Sequence, residues 1–149
     1  MIIRLAEVSD AEEIFDIEEE CFSIPWSMDS IVNELENPGH KLYFVVEENK
    51  QLLAYAGVWI VADEGQITNV AVRTCARREG YGAILVRKLV KECFKRGAAE
   101  IFLEVRVSNV AAMSLYRRLG FTVKGLRKHY YQEPVEDAYI MSLIKEDVQ

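Results

Sequence analysis

Residues 73–85 read RTCARREGYGAIL. Arg77 and Arg78 are followed by Glu79, Gly80, Tyr81, Gly82 and Ala83, and an apolar run with helical spacing begins there. A helix start carries unpaired N–H groups and a partial positive charge. Glycine lets the backbone come close to a ligand because no Cβ stands in the way. The strand-like stretch QITNVAV (66–72) feeds this loop, which makes it a candidate phosphate cradle. The two guanidinium groups could add charge-assisted hydrogen bonds to a pyrophosphate. The competing reading is a helix start whose glycines only turn the chain. ATP and NAD are disfavoured: GYGAIL lacks the Gly-Lys-Ser/Thr ending of a P-loop, and Leu85 stands where a dinucleotide fingerprint needs its third glycine.

Two further residues could move protons. In EIFLEVRV (100–107), Ile101, Leu103, Val105 and Val107 alternate with Phe102, Glu104 and Arg106, so Glu104 lies on the face opposite Leu103. On pattern alone Glu104 is an ordinary surface glutamate beside an arginine. In SNVAAMSLYRRLG (108–120), Asn109, Ala112, Met113 and Tyr116 recur at steps of three and four and share a helix face. A phenol near its reference pKa of about 10 can donate to a leaving group. A core aromatic at Tyr116 and a helix cap at Asn109 are equally open.

Other chemistry is thinly supplied. Cys21, Cys75 and Cys93 form no CxxC pair and read as buried thiols. With His40 and His129 as the only histidines, a three-histidine metal site is excluded, and no metal is expected. The net charge of −6 argues against a nucleic-acid partner and permits a basic one. Glu18 to Glu20 could attract such a partner or form a solvated helix face. No apolar run approaches the about 18 residues of a membrane span. The opening MIIRLAEVSD lacks the pattern of a signal peptide, so a cytoplasmic location is expected.

These residues need elements to position them. MIIRLAEV reads as a strand; Ser9 and Glu12 then form a capping-box pattern before a helix reaching about residue 22. After SIPWS, Ser27 caps a short helix that NPG stops near Asn37. KLYFVVEE and LLAYAGVWIVA form a hairpin across ENKQ. DEG leads into QITNVAV, then the loop and a helix ending at Gly97. EIFLEVRV, the Tyr116 helix ending before Gly120, and strands FTVKGLRK and DAYIMSLIK complete the order β-α-α-β-β-β-α-β-α-β-β. The fold class is α/β (α+β), a mixed sheet with helices packed on it, in one domain over 1–149.

With these elements in place, RREGYG (77–82) resembles the Gln/Arg-x-x-Gly-x-Gly/Ala loop of the GNAT superfamily of N-acetyltransferases. LEVRVSNVAAMSLYRRLGF, SIPWS, RKHYY and EDAYIMSL resemble its bacterial ribosomal-protein-alanine branch, in the same order and over nearly the whole chain. The chain departs from that pattern in Arg77 for a common Gln, in a loop (RTCA) without proline, and in Ile24 for Phe. The resemblance implies the acyl-CoA N-acyltransferase fold, with a sheet splayed between its fourth and fifth strands. It implies acetyl-CoA on the loop 77–83 and on the backbone of Val70, Ala71 and Val72, with an oxyanion donor near Val72. It assigns Glu104 as general base, Tyr116 as general acid at the CoA sulfur and Asn109 as a pantetheine ligand. Trp26, Tyr130 and Tyr131 would shape the acceptor groove, and Glu133, Glu136 and Asp137 could face a basic peptide. The expected acceptor is a protein N-terminal α-amine, the alanine of a small-subunit ribosomal protein. A reference pKa of about 8 leaves such an amine partly neutral, so a modest base suffices. A small-amine acetyltransferase and a non-catalytic acyl-CoA module are the alternatives.

Overall fold

A computed structural model describes residues 1–147. Its elements are β1 (Ile2–Leu5), α1 (Ala11–Cys21), α2 (Met28–Glu36), β2 (Lys41–Glu48), β3 (Gln51–Val61), β4 (Glu64–Val72), α3 (Tyr81–Lys95), β5 (Glu100–Arg106), α4 (Val110–Arg118), β6 (Thr122–Tyr131) and β7 (Glu136–Ile144). This is the expected succession, with added 3-10 turns at Val8–Asp10, Thr74–Ala76 and Lys145–Asp147. The fold class is mixed α/β. The seven strands hydrogen-bond in the order β1-β2-β3-β4-β5-β7-β6. β4 and β5 run parallel; the other described pairs are antiparallel. The chain gathers into two compact units, Met1–Trp59 with Thr68–Leu89, and Ile60–Ile67 with the chain from Val90 onward. Residues 148 and 149, the end of the expected domain, lie outside the described residues. Among the described residues, no helix is long and apolar enough to cross a membrane.

In the first unit, Ala11, Ile14 and Ile17 of α1 and Ile31 of α2 bury against Tyr43, Val45, Leu52, Tyr55 and Ala71 of the sheet. The β2–β3 hairpin closes with Glu48 opposite Gln51, and the two residues between, Asn49 and Lys50, both take positive φ (52° and 63°). That is the backbone a type I′ link demands, and it suits the right-handed twist of the strands. Ser27 caps α2 as expected, accepting the Ser30 N–H at 3.1 Å. The cap before α1 differs from the expected Ser9–Glu12 pattern. A 3-10 turn precedes the helix, and Asp10 accepts the Glu7 N–H at 2.7 Å while taking two bonds from Arg4 at 2.8 and 2.9 Å. The guanidinium of Arg4 holds the Asp10 carboxyl below its usual range.

The acidic run of α1 is divided: Glu19 and Glu20 are exposed, as a solvated face would have them, but Glu18 is not. Glu18 is only 1% exposed and accepts the Trp26 N–H (2.8 Å), the Asn69 side-chain amide (2.9 Å) and the Tyr55 hydroxyl. Glu20 accepts the Thr74 N–H and lies 3.5 Å from Arg73. Of the three cysteines, only Cys93 is fully buried; Cys21 is half-buried and Cys75 exposed.

In the second unit, β5 carries Ile101, Leu103 and Val105 buried, with Phe102, Glu104 and Arg106 half-buried between them. β7 pairs along all of β5, from Glu100 opposite Ile144 to Arg106 opposite Ala138. β6 extends to Tyr131, beyond the expected strand FTVKGLRK, so HYY belongs to the strand as well.

Gly57 sits under the Tyr43 ring: a Cβ there would fall 2.0 Å from Tyr43 Cε1. That ring is tied through its hydroxyl to Glu34 at 2.6 Å and cannot slide away freely. Gly57→Ala is expected to lower stability by about 1–3 kcal/mol, the usual range for overpacking. Chemical denaturation of the two proteins side by side measures it; an unchanged midpoint refutes the close packing.

Candidate active site

The loop after β4 belongs to the first unit. The Arg73 N–H donates to the Leu53 carbonyl (2.8 Å) and its Nε to the Leu52 carbonyl (2.7 Å), which anchors the strand end. The Thr74–Ala76 turn follows, and then Arg78 and Gly80 both take left-handed backbone, with φ of 69° and 82°. The first helical bond of α3 runs from the Ile84 N–H to the Gly80 carbonyl at 3.1 Å. The N–H groups of Tyr81, Gly82 and Ala83 therefore precede the helix's own ladder. Together with the reversed backbone at Arg78 and Gly80 they form a concavity of N–H groups suited to an anion. At Gly80 the need for glycine is conformational: an added Cβ would meet nothing within 4 Å, but the left-handed φ disfavours any side chain.

The expected ligands of that loop are not equally free. Arg78 and Glu79 are exposed. Arg77 turns its Nε onto the Val72 carbonyl (3.1 Å) and its Nη2 to within 3.7 Å of Cys21 Sγ. Cys21 Sγ also donates to that carbonyl at 3.3 Å, and burial pushes its thiol up. Tyr81 sends its hydroxyl to Glu48 at 3.1 Å. On β4, Val70 and Val72 are half-buried and Ala71 is buried. Trp26 packs against the first unit's core, edge-on to Tyr43 with ring centroids 6.3 Å apart. It helps line a small cavity with Ile31, Glu34, Leu35 and Tyr55.

The proton-moving candidates belong to the second unit. Glu104 is not the solvent-facing glutamate that pattern alone suggests: its side chain is 14% exposed. Oε2 accepts the Gln66 side-chain amide at 2.8 Å, and Oε1 lies 3.6 Å from Arg127 Nε. Its neighbour Arg106 is engaged elsewhere, with Glu136 at 3.2 Å and the Gln132 and Pro134 carbonyls at 3.1 and 3.0 Å. Arg106 also stacks over Tyr131 at 4.4 Å, and Arg127 over Tyr130 at 5.6 Å. The two tyrosine rings meet edge to face at 5.0 Å. Burial raises both phenols, and the charge of Glu104 adds to the effect.

The expected acidic face for a basic peptide is mostly committed. Glu136 accepts the Ser108 N–H at 2.7 Å, and Ser108 and then Arg106 hold it below the usual carboxylate range. Asp137 accepts the His129 N–H at 2.8 Å. Glu133 alone stays exposed.

Tyr116 is 8% exposed, and its ring lies 5.9 Å from Phe121. The end of α4 fixes it there. The Gly120 N–H bonds the Arg117 carbonyl and the Phe121 N–H bonds the Tyr116 carbonyl, both at 3.0 Å, with Gly120 at φ 103°. This is a Schellman closure with its apolar contact between Phe121 and Tyr116. Burial pushes the Tyr116 phenol up to about 12. At the other end of α4, the Asn109 side chain accepts the Ala112 N–H at 3.1 Å, so one of its polar atoms serves as the helix cap. Met113 is buried on the same face as Tyr116, and Ala112 is half-buried. Gln66 is the residue that pattern reading missed. Its only sequence signal is that it opens QITNVAV, the strand that feeds the glycine loop.

The β4–β5 ladder runs only from Glu64 opposite Glu100 to Gln66 opposite Phe102, while β4 continues to Val72 and β5 to Arg106. Among the described residues, no group of three or more His, Cys, Asp or Glu side chains could hold a metal ion. Comparison with known proteins gives this arrangement a context. A protein of Bacillus subtilis (strain 168) is 41% identical over 140 residues, covering 93% of this chain and 92% of its own length. The [ribosomal protein bS18]-alanine N-acetyltransferase of Escherichia coli (strain K12) is 37% identical over 144 residues, 95% of each chain. The crystal structure of the ribosomal-protein-S18-alanine N-acetyltransferase from Escherichia coli superposes with a TM-score of 0.88, covering 99% of this chain and 94% of that one at 34% identity. Residues 11–121 match the acetyltransferase (GNAT) family, and the chain is a member of it.

Proposed function

We propose that this chain transfers the acetyl group of acetyl-CoA to a protein N-terminal α-amine, the N-terminal alanine of a ribosomal protein of the small subunit. The likeness to the Escherichia coli enzyme over 95% of both chains carries this reading. Residues 1–149 act as one catalytic domain, and β3, β4 and α3 each contribute residues to both compact units. The setting is the cytoplasm, where ribosomal proteins are made.

The loop residues fit a pyrophosphate. The N–H groups of Tyr81, Gly82 and Ala83 and the exposed Arg78 offer donors and positive charge. Arg77 contributes by a different route, bracing the Val72 carbonyl from one side. The backbone of Val70 to Val72 holds the thioester arm, and an N–H there stabilises the carbonyl oxygen as it gains charge. Acetyl-CoA supplies the activated acyl group; the chain's own residues manage protons and orientation. Glu104 takes the proton from the amine, and Tyr116 gives one to the departing sulfur. A phenol pushed up to about 12 stays protonated throughout the neutral range and is available as a donor. Asn109 keeps its side-chain NH₂ for the pantetheine while its oxygen caps α4. Tyr130, Tyr131 and Trp26 shape the acceptor groove.

Glu104→Gln is expected to cut kcat by about a hundredfold or more while leaving the Kd for acetyl-CoA within about twofold, as removal of a general base should. Initial rates of CoA release with an alanine-starting peptide, and calorimetry of acetyl-CoA binding, read the two quantities. Full turnover by the variant refutes the base assignment, and faster acetylation of small amines than of peptides refutes the acceptor class.

Tyr116 also predicts a pH effect on stability. Burial raises its folded pKa above the ordinary phenol range to about 12, so its contribution is complete below the unfolded value. That contribution is lost as the pH climbs from there through about 12. Over this window Tyr116→Phe should lose less stability than the parent. Urea unfolding at about pH 9.5 and pH 11.5 tests it; equal losses in both proteins contradict a buried, reluctant phenol.

A further inference from the structure

We infer that Gln66 is a positioning residue for acetyl transfer: its amide holds Glu104 by Oε2 and leaves Oε1 as the oxygen that accepts the amine proton. This rests on the reading of Glu104 as the base. The geometry follows from the sheet. Gln66 and Phe102 form the last rung of the parallel β4–β5 ladder, and Glu104 stands two residues beyond Phe102 on the same strand face. Partners in a parallel ladder point to the same face, so that rung sets the Gln66 side chain beside Glu104. The 2.8 Å contact must be made by the Nε2 donor, because an ionised carboxylate only accepts. The Glu104 backbone is fixed as well, opposite Ile140 in the β5–β7 ladder.

The two oxygens are thereby made unequal. Oε2 is engaged by a short bond from a neutral amide. Oε1 faces Arg127 Nε at 3.6 Å, beyond hydrogen-bond distance, and the Arg127 side chain is 55% exposed. An exposed, solvent-screened cation at that range orients the carboxylate weakly. The amide does the orienting without adding charge. The charge of Glu104 is also felt by the Tyr130 and Tyr131 phenols at the end of β6, and Arg106, two residues along β5, is bound to Glu136.

The test uses the full chain, acetyl-CoA and an alanine-starting peptide, with kcat, KM and the pH profile of kcat/KM measured for Gln66→Leu, Gln66→Glu and Glu104→Gln. Gln66→Leu is expected to lower kcat by about ten- to a hundredfold, the usual cost of misplacing a reacting group, with KM for acetyl-CoA within about twofold. Gln66→Glu sets a second carboxylate against the first. Like charges at that spacing move the acid limb of the profile up by about one pH unit or more. Gln66→Glu is close to isosteric, so it keeps the test decisive if Gln66→Leu unfolds. Wild-type kcat and an unmoved acid limb in the Gln66 variants, alongside an inactive Glu104→Gln, overturn the positioning role alone. A fully active Glu104→Gln overturns the base reading, and the inference with it.

Discussion

Glu18 is a carboxyl group that folding removes from water and surrounds with three neutral donors. A buried carboxylate is costly unless its oxygens are satisfied. Here the donors come from three separate segments: the Trp26 N–H after α1, the Tyr55 hydroxyl of β3 and the Asn69 amide of β4. Burial, and then Glu18 itself, push the Tyr55 phenol far up, so that hydroxyl remains a donor. Each donor lost would leave part of a buried charge unpaired. The network therefore fixes the chain leaving α1 and the strand that runs into the glycine loop as one arrangement within the first unit. Asn69 lies one residue before Val70, so the backbone proposed to hold the thioester is set by a side-chain bond to a helix.

The second unit relies on a different principle. The side chains proposed to move protons there are placed by backbone register and by helix termination. Glu104 is held between two ladders and one amide; Tyr116 is held by the stop signal of its own helix. Arg106 does comparable work for the β6–β7 hairpin, binding two of its carbonyls and Glu136 while stacking on Tyr131. Asp137 is engaged inside that hairpin, and Glu136 is engaged by Arg106 and Ser108 beside it, so neither acid is an open negative charge.

Much of this was legible in the sequence, for reasons tied to particular residues. Element order followed from period-2 and period-3.6 patterning and from glycines 97 and 120, whose positive φ closes α3 and α4. The two-face alternation of β5 was readable because the strand's one ladder neighbour on each side leaves its faces distinct. What escaped was side-chain partnership across long sequence separation. Glu18 read as one of a run of acids because its charge outweighed its place on the inner face, four residues after Ile14 and three before Cys21, and its partners lie 8, 37 and 51 residues away. Gln66 carries no motif at all, and its contact with Glu104 depends on a strand register that sequence patterning does not encode. The cap before α1 was misplaced because Asp10, in a 3-10 turn, satisfies the Glu7 N–H that a Ser9 box would have left to others.

The closure at Arg117–Phe121 has a consequence for how this chain can vary. The same few residues end α4, orient a phenol and provide the ring that covers it. Length and chemistry are therefore locked to one another at that point. An insertion in α4 would carry the hydroxyl around the helix axis and away from its seat, so divergence must find its freedom in the exposed outer positions of this helix and not in the number of its turns.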